Sequence, residues 1–143
     1  MNDMIKYGAQ EGRVLAGLPG PWSSPDQGFA MVDMTVPAGF GGPPPHVHHD
    51  FDEGFYILEG ELVVLDGTEE ITVPAGSLAI APRGRRHAFR NPSAAPVRIL
   101  GIWTPPSGLQ LVRDIGALLS AGGRPDPAAL AEVYRRHNSE LAL

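Results

Sequence analysis

The order of apolar and polar positions divides the chain into a long strand-like part and a shorter helical one. In residues 29–36, Met31, Val32, Met34 and Val36 are apolar, and Pro37-Ala38-Gly39 stops the run. Short strand signals follow at 46–49, 54–58, 61–65, 70–73, 78–81, 87–90 and 97–103. Gly60, Asp66-Gly67 and Pro74-Ala75-Gly76 supply turn chemistry between them. Weaker strand-like pieces at 5–7 and 13–15 precede a loop at 18–27 rich in Pro, Gly and Ser. Many short strands with a turn every several residues predict an all-β sandwich or barrel.

The period changes near residue 107. Ser107 precedes Leu109, Leu111, Val112, Ile115, Leu118 and Leu119, a helical spacing that stops at Gly122-Gly123. Asp126-Pro127 offers an N-cap and a first-turn proline for a second helix over 128–137, with Leu130, Val133 and Tyr134 as its inner stripe. The expectation is a single domain over residues 1–143: a barrel at about 5–105, and two C-terminal helices at about 107–140 serving as a lid or packing appendage.

Composition sharpens this picture. Gly 18 and Pro 15 are high for 143 residues, yet 43% of the chain is hydrophobic, enough for a core. Cys is 0, which removes disulfides, thiolate nucleophiles and Cys-ligated metals. A net charge of −5 argues against the basic field that nucleic acid requires. No apolar run approaches the roughly 18 residues of a membrane span. The opening MNDMIKYGAQEG has neither a basic nor an apolar signal region. These features predict a soluble cytoplasmic protein with neither nucleic acid nor membrane as partner.

The candidate chemistry lies in the strand region. His46 and His48 are two residues apart, so both imidazoles project from one face of a strand. Glu53 begins the next apolar strand, and His87 opens another. Three imidazoles and a carboxylate suit one divalent transition metal (Fe, Ni, Mn, Co, Cu or Zn) and not the all-oxygen shells of Ca²⁺ or Mg²⁺. The competing readings are structural histidines and, for Glu53, a rim carboxylate or base. Alternation turns Val47 and His49 away from that face, and His137 in the second helix reads as solvated surface. Arg83, Arg85, Arg86 and Arg90 either steer an anionic substrate or pair with the acidic segment 50–53.

Residues 46–60, HVHHDFDEGFYILEG, are similar to the first cupin motif, H-x-H-x(3,4)-E-x(6)-G, at His46, His48, Glu53 and Gly60. Residues 76–91, GSLAIAPRGRRHAFRN, resemble the second, G-x(5)-P-x-G-x(2)-H-x(3)-N, at Gly76, Pro82, Gly84, His87 and Asn91. The family's leading glycine would fall on Phe40, between Gly39 and Gly41, a departure that bears on the approach loop. The resemblance implies a jelly-roll barrel, metal ligation by His46, His48, Glu53 and His87, turns at Gly60 and Gly76, and a bend at Gly84 that delivers His87. Counting alternate residues from the ligands places Phe55, Ile57 and Phe89 inside. Leu78 and Ile80 are expected in the same interior, with Trp103 closing one end. The predicted substrate-binding set is therefore Phe55, Ile57, Leu78, Phe89 and Trp103, around an apolar cavity suited to a planar or hydrophobic small molecule.

The segments PPPHVHHDFDEGFYILEGEL and PRGRRHAFRN look most like the quercetin 2,3-dioxygenase-like branch of small cupins. That resemblance implies an enolate substrate held at the metal, with Glu53 as catalytic base for the enol proton, and dioxygenation as the reaction. A non-oxidative polyketide cyclase or isomerase, using the metal as a Lewis acid, is the first alternative. A metal-retaining binding module without turnover is the second. The family's habit of pairing barrels through edge strands implies a homodimer.

Overall fold

In the computed structural model of the protein, residues 4–7, 10–15, 28–120 and 125–143 are described. Their strands are β1 (Met4–Tyr7), β2 (Gln10–Val14), β3 (Ala30–Val36), β4 (His46–His48), β5 (Asp52–Glu59), β6 (Glu61–Asp66), β7 (Glu69–Pro74), β8 (Leu78–Ala81), β9 (His87–Arg90), β10 (Val97–Thr104) and β11 (Ser139–Leu141). Helices α1 (Gly108–Leu119) and α2 (Pro127–Arg136) lie between β10 and β11. The loop expected at 18–27 and the Gly122-Gly123 stop lie outside the described residues.

The strands form two antiparallel sheets, ordered β1-β2-β3-β10-β5-β8 and β11-β4-β9-β6-β7. This is the expected all-β, two-sheet architecture with helices near its C-terminal end. Its core forms where alternation is cleanest. Val32, Met34 and Val36 of β3 point inward beside Val97, Ile99 and Trp103 of β10, while Asp33 turns outward to Arg98, whose Nη2 donates to Oδ2 at 2.8 Å. The register sets Ile99 opposite Met34 and, on the other side of β10, Trp103 opposite Glu53. Gly101 lies between them. A Cβ there would sit 2.7 Å from the Trp103 Cη2 atom and 3.1 Å from the Met34 sulfur, so its missing side chain is the space that both groups use.

Gly60, Gly76 and Gly84 adopt φ values of 84°, 83° and 82°, placing the motif glycines in left-handed turns as expected. The Gly84 N–H also donates to the His48 carbonyl at 2.6 Å, so the bend before His87 is anchored to the strand that carries the other histidines. Asn91, fully buried, donates to the carbonyls of Val36, Pro37 and Ala95 and accepts from Ser93. It clamps the end of β9 to the end of β3. The Phe40 departure is accommodated: Phe40 bridges to Asn91, and its ring packs 5.8 Å from that of Phe89.

Four expectations need correction. Leu78 and Ile80 do not enter the interior; they are 50% and 61% exposed. On β8, an edge strand, the register sets Ala79 opposite Phe55 and Ala81 opposite Glu53, so the alanines take the inward parity. In an all-apolar Leu-Ala-Ile-Ala run, alternation does not say which pair faces in. Val47, turned away from the histidines' face, is nonetheless buried. His137 is not solvated surface: its Nε2 lies 2.6 Å from Asp114 Oδ2, tying α2 to α1. The helical appendage also ends in a strand. Asn138, at φ 47°, reverses the chain, and β11 then pairs antiparallel with β4.

The helices otherwise follow their signals. The Asp126 carboxylate accepts the Ala129 N–H at 3.0 Å with Pro127 in the first turn, whereas Ser107 makes no side-chain cap. Leu111 and Ile115 of α1, and Leu130, Val133 and Tyr134 of α2, are buried in the core. The arginine loop is internally satisfied. Arg83 pairs with Asp52, Arg85 with Asp66 and Arg90 with Glu70, and Arg86 donates to the carbonyls of Gly67 and Ala142.

Candidate metal centre

Four buried side chains converge between the two sheets. His46 and His48 project from β4, and His87 stands directly opposite His46 on β9. Glu53 reaches in from β5 of the other sheet. Each offers one ligand atom, and the four atoms lie within 4.8 Å of one another. All four residues are at most 6% exposed. Glu53 Oε2 is 2.9 Å from His87 Nε2 and 3.1 Å from His48 Nε2. His49 points outward and meets Glu140, as alternation predicts.

The outer ring nitrogens determine what the inner ones can do. His46 Nδ1 donates to the Pro44 carbonyl at 2.7 Å, and His87 Nδ1 to the Arg85 carbonyl at 2.9 Å. A carbonyl oxygen can only accept, so both Nδ1 atoms carry their protons, and in the neutral ring both Nε2 atoms point lone pairs inward. His48 Nδ1 lies 2.8 Å from Ser139 Oγ, which hydrogen-bonds the His137 carbonyl at 3.2 Å. That hydroxyl proton is committed to the carbonyl, so Oγ accepts from Nδ1 and His48 takes the same tautomer. Lone pairs facing an ionised carboxylate at such distances repel unless a positive centre lies among them. The donor set therefore fits a divalent cation, with outer hydrogen bonds of the kind that orient metal-ligating imidazoles.

Electrostatics show that the site favours positive charge beside Glu53. Burial and the two neighbouring imidazoles push His46 down to about 3, so it is a neutral ligand at ordinary pH. Burial alone would raise the Glu53 carboxyl, but a proton on the facing His48 and His87 nitrogens, in the place a cation would take, overcomes it and holds the carboxyl well below the usual carboxylate range. Burial also opposes a charge on His87, yet the Glu53 hydrogen bond and charge outweigh it and move that group upward. An ionised Glu53 with three neutral imidazoles would leave a bound divalent ion with one net positive charge.

The group opens onto a small cavity of about 40 Å³, room for a few water-sized atoms. Phe55, Phe89 and Trp103 line it. Ile57 is fully buried but belongs to the core and not to this wall. The sequence reading missed Met34, Ile99, Leu111, Val112, Ile115 and Tyr134 as lining residues. Leu111, Val112 and Ile115 come from α1 and Tyr134 from α2, so both helices form a wall of the cavity. Tyr134 lies 5.1 Å from His46, ring centre to ring centre, and parallel to His48 at 6.3 Å. Its place in the inner stripe was the available signal, but periodicity names a buried face without naming what that face meets.

The model of Cupin_2, the cupin domain, matches residues 32–103. The chain is 30% identical to the oxidoreductase iacF of Pestalotiopsis fici, over 88% of this chain and 71% of that protein. Among solved structures it resembles TT1209 of Thermus thermophilus, with 36% identity, a TM-score of 0.50, and coverage of 55% of this chain and 73% of that one. A sugar phosphate isomerase of Silicibacter pomeroyi superposes with a TM-score of 0.56 at 25% identity, covering 68% of this chain and 60% of that one.

Proposed function

The chain belongs to the cupin domain family, and from that premise we propose that it is a mononuclear metal-dependent enzyme. It acts on a small, hydrophobic, enolisable substrate, with dioxygenation of the quercetin 2,3-dioxygenase type as its reaction. The observation that carries this reading is the polarity of the site: three imidazoles tied outward through Nδ1 with their Nε2 atoms turned inward on one buried carboxylate, opening onto an otherwise apolar wall. The 30% identical oxidoreductase supports redox chemistry.

A bound divalent ion would supply Lewis-acid stabilisation of an enolate oxygen and, if redox-active, access to dioxygen chemistry. His46, His48 and His87 would hold it, with Glu53 as the fourth ligand. Held ionised by its neighbours, Glu53 is also the group placed to take the enol proton if it swings off the ion. Phe55, Phe89 and Trp103 keep water from the charged group and present flat apolar surface to an aromatic substrate. A cavity of about 40 Å³ is smaller than a bicyclic substrate, so docking such a ring requires the side chains of α1 and α2 to give way.

A second reading, non-oxidative cyclisation or isomerisation through the same enolate, draws support from the isomerase among the structural relatives. A sugar phosphate suits this cavity poorly, because its lining residues include no Lys or Arg to meet a phosphate dianion. A binding module that keeps the metal without turnover is the third. A homodimer and a cytoplasmic location belong to the proposal, the first checked by sedimentation.

The deciding experiment is elemental analysis of protein purified without chelator or nickel resin, followed by oxygen-uptake assays with flavonols. About one equivalent of Fe, Mn, Ni, Co or Cu with substrate-dependent uptake is expected. Zinc with oxygen-independent turnover would replace the first reading by the second. Tight substrate binding without product would leave the third.

A further inference from the structure

We propose that Ser139, carried on the C-terminal strand β11, is a positioning residue that fixes His48 as a metal ligand, making the tail of the chain part of the metal centre. The inference rests on the metal-site reading and goes beyond it, since it names a residue outside both sequence motifs.

The three imidazoles are not oriented by equivalent means. His46 and His87 each donate Nδ1–H to the carbonyl two residues earlier, Pro44 and Arg85 respectively. Those bonds come with the local course of the strand. The Nδ1 partner of His48 is instead a side chain 91 residues away. Ser139 is 4% exposed, and its register on β4 sets it directly opposite His48. Residues opposite one another on paired antiparallel strands share a face, so the hydroxyl is delivered to the ring by strand pairing.

A hydroxyl both donates and accepts, so it does not by itself select a tautomer. The His137 carbonyl makes the choice. It accepts the Ser139 O–H at 3.2 Å, which leaves Oγ to accept His48 Nδ1–H at 2.8 Å and His48 Nε2 free toward Glu53 and the ion. The relay runs from the end of α2, through β11, to a ligand. It is held on both sides: His49 N–H donates to the Asn138 carbonyl at 3.1 Å, Ala142 N–H to the Pro45 carbonyl at 2.8 Å, and Asn138 Nδ2 to Asp50 Oδ1 at 2.7 Å. Arg86 adds a bond to the Ala142 carbonyl at 2.6 Å. The same segment carries Tyr134 against His46 and His48, so a shift of α2 to admit substrate reaches the metal ligands directly.

The test uses the full chain with Co²⁺ as probe. Ser139→Ala is compared with Ser139→Thr, which keeps the hydroxyl, and with Glu140→Ala on the exposed face of β11. The readouts are Co²⁺ affinity by competition, the visible absorption bands of the Co²⁺ complex, and the His48 tautomer in metal-free protein by long-range proton–nitrogen NMR. Ser139→Ala is expected to weaken Co²⁺ about 10- to 100-fold, alter the bands and give His48 a mixed tautomer. Ser139→Thr restores the Nδ1–H tautomer, and Glu140→Ala leaves all three readouts unchanged. An affinity within about twofold of wild type would overturn the proposal. So would a loss of affinity with the His48 tautomer unchanged, since strand undocking alone would then explain it. Failure of the wild-type protein to bind Co²⁺ would defeat the metal reading instead, and the tautomer measurement, made without metal, separates the two.

Discussion

Glu53 Oε2 and His87 Nε2 lie 2.9 Å apart, yet the two residues belong to different sheets and stand 34 positions apart in the chain. The contact closes the space between the sheets where the buried core carries charge. A cation held there ties β5 to β4 and β9, so ligation and fold stability are coupled.

His48→Ala and His87→Ala are each expected to lose the metal while keeping the fold, because each removes an inward Nε2 and leaves the strand backbone intact. Elemental analysis measures the loss, and far-ultraviolet circular dichroism checks the fold. Metal should raise the melting temperature of the wild type and not of either variant. Full metal occupancy in both variants would sink the ligand assignment.

The metal-free protein should lose stability as the solution is acidified. His46 is held down to about 3 in the folded state, so from pH 6.5 downward the unfolded chain binds a proton that the folded chain refuses. Glu53, also lowered, adds to the loss once the pH passes below its ordinary value of 4.5. His87 is raised and works the other way: its contribution is complete below 6.5 and fades as pH rises. With His48 lowered as well, the depressed groups outnumber it. Melting temperatures should therefore fall toward acid between pH 6.5 and 4. A flat or rising profile would contradict these directions.

Phe55 and Leu78 should respond very differently to truncation. Phe55 is 2% exposed and lines the cavity, so Phe55→Ala should cost about 3–5 kcal/mol in urea denaturation. Leu78 is half exposed on an edge strand, and Leu78→Ser should change stability by less than about 1 kcal/mol. Equal losses would reverse the parity assigned to β8.

Gly42 lies where the approach loop crosses β9. It has φ 85°, and a Cβ there would overlap the Phe89 carbonyl oxygen. Gly42→Ala must push β9 aside, and His87 with it. A destabilisation of more than about 2 kcal/mol with weakened metal binding is expected. Gly39→Ala, at φ 72° but with open space around the Cβ, should cost only the backbone strain, about 1 kcal/mol, and leave metal binding unchanged. Similar behaviour of the two variants would show that the close approach to Phe89 is unimportant.

The features legible along the chain were local and periodic. A two-residue spacing put His46 and His48 on one strand face, turn glycines marked where strands end, and Asp126-Pro127 opened α2. The four candidate ligands and the two-sheet class could be read for that reason. The features that stayed open depended on register and on contacts between distant segments. The apolar run of β8 allowed either parity, and its pairing with β5 turned Ala79 and Ala81 inward and Leu78 and Ile80 outward. Tyr134 was readable as a buried helix residue, but its place against His46 depends on how α2 packs onto the barrel. Ser139 carried no signal at all. Three residues are too few to show a strand period, and a serine hydroxyl acquires its role only when strand pairing sets it opposite His48, 91 positions away. Periodicity fixes which face of an element is apolar; the partner that face meets is decided by packing across the whole chain.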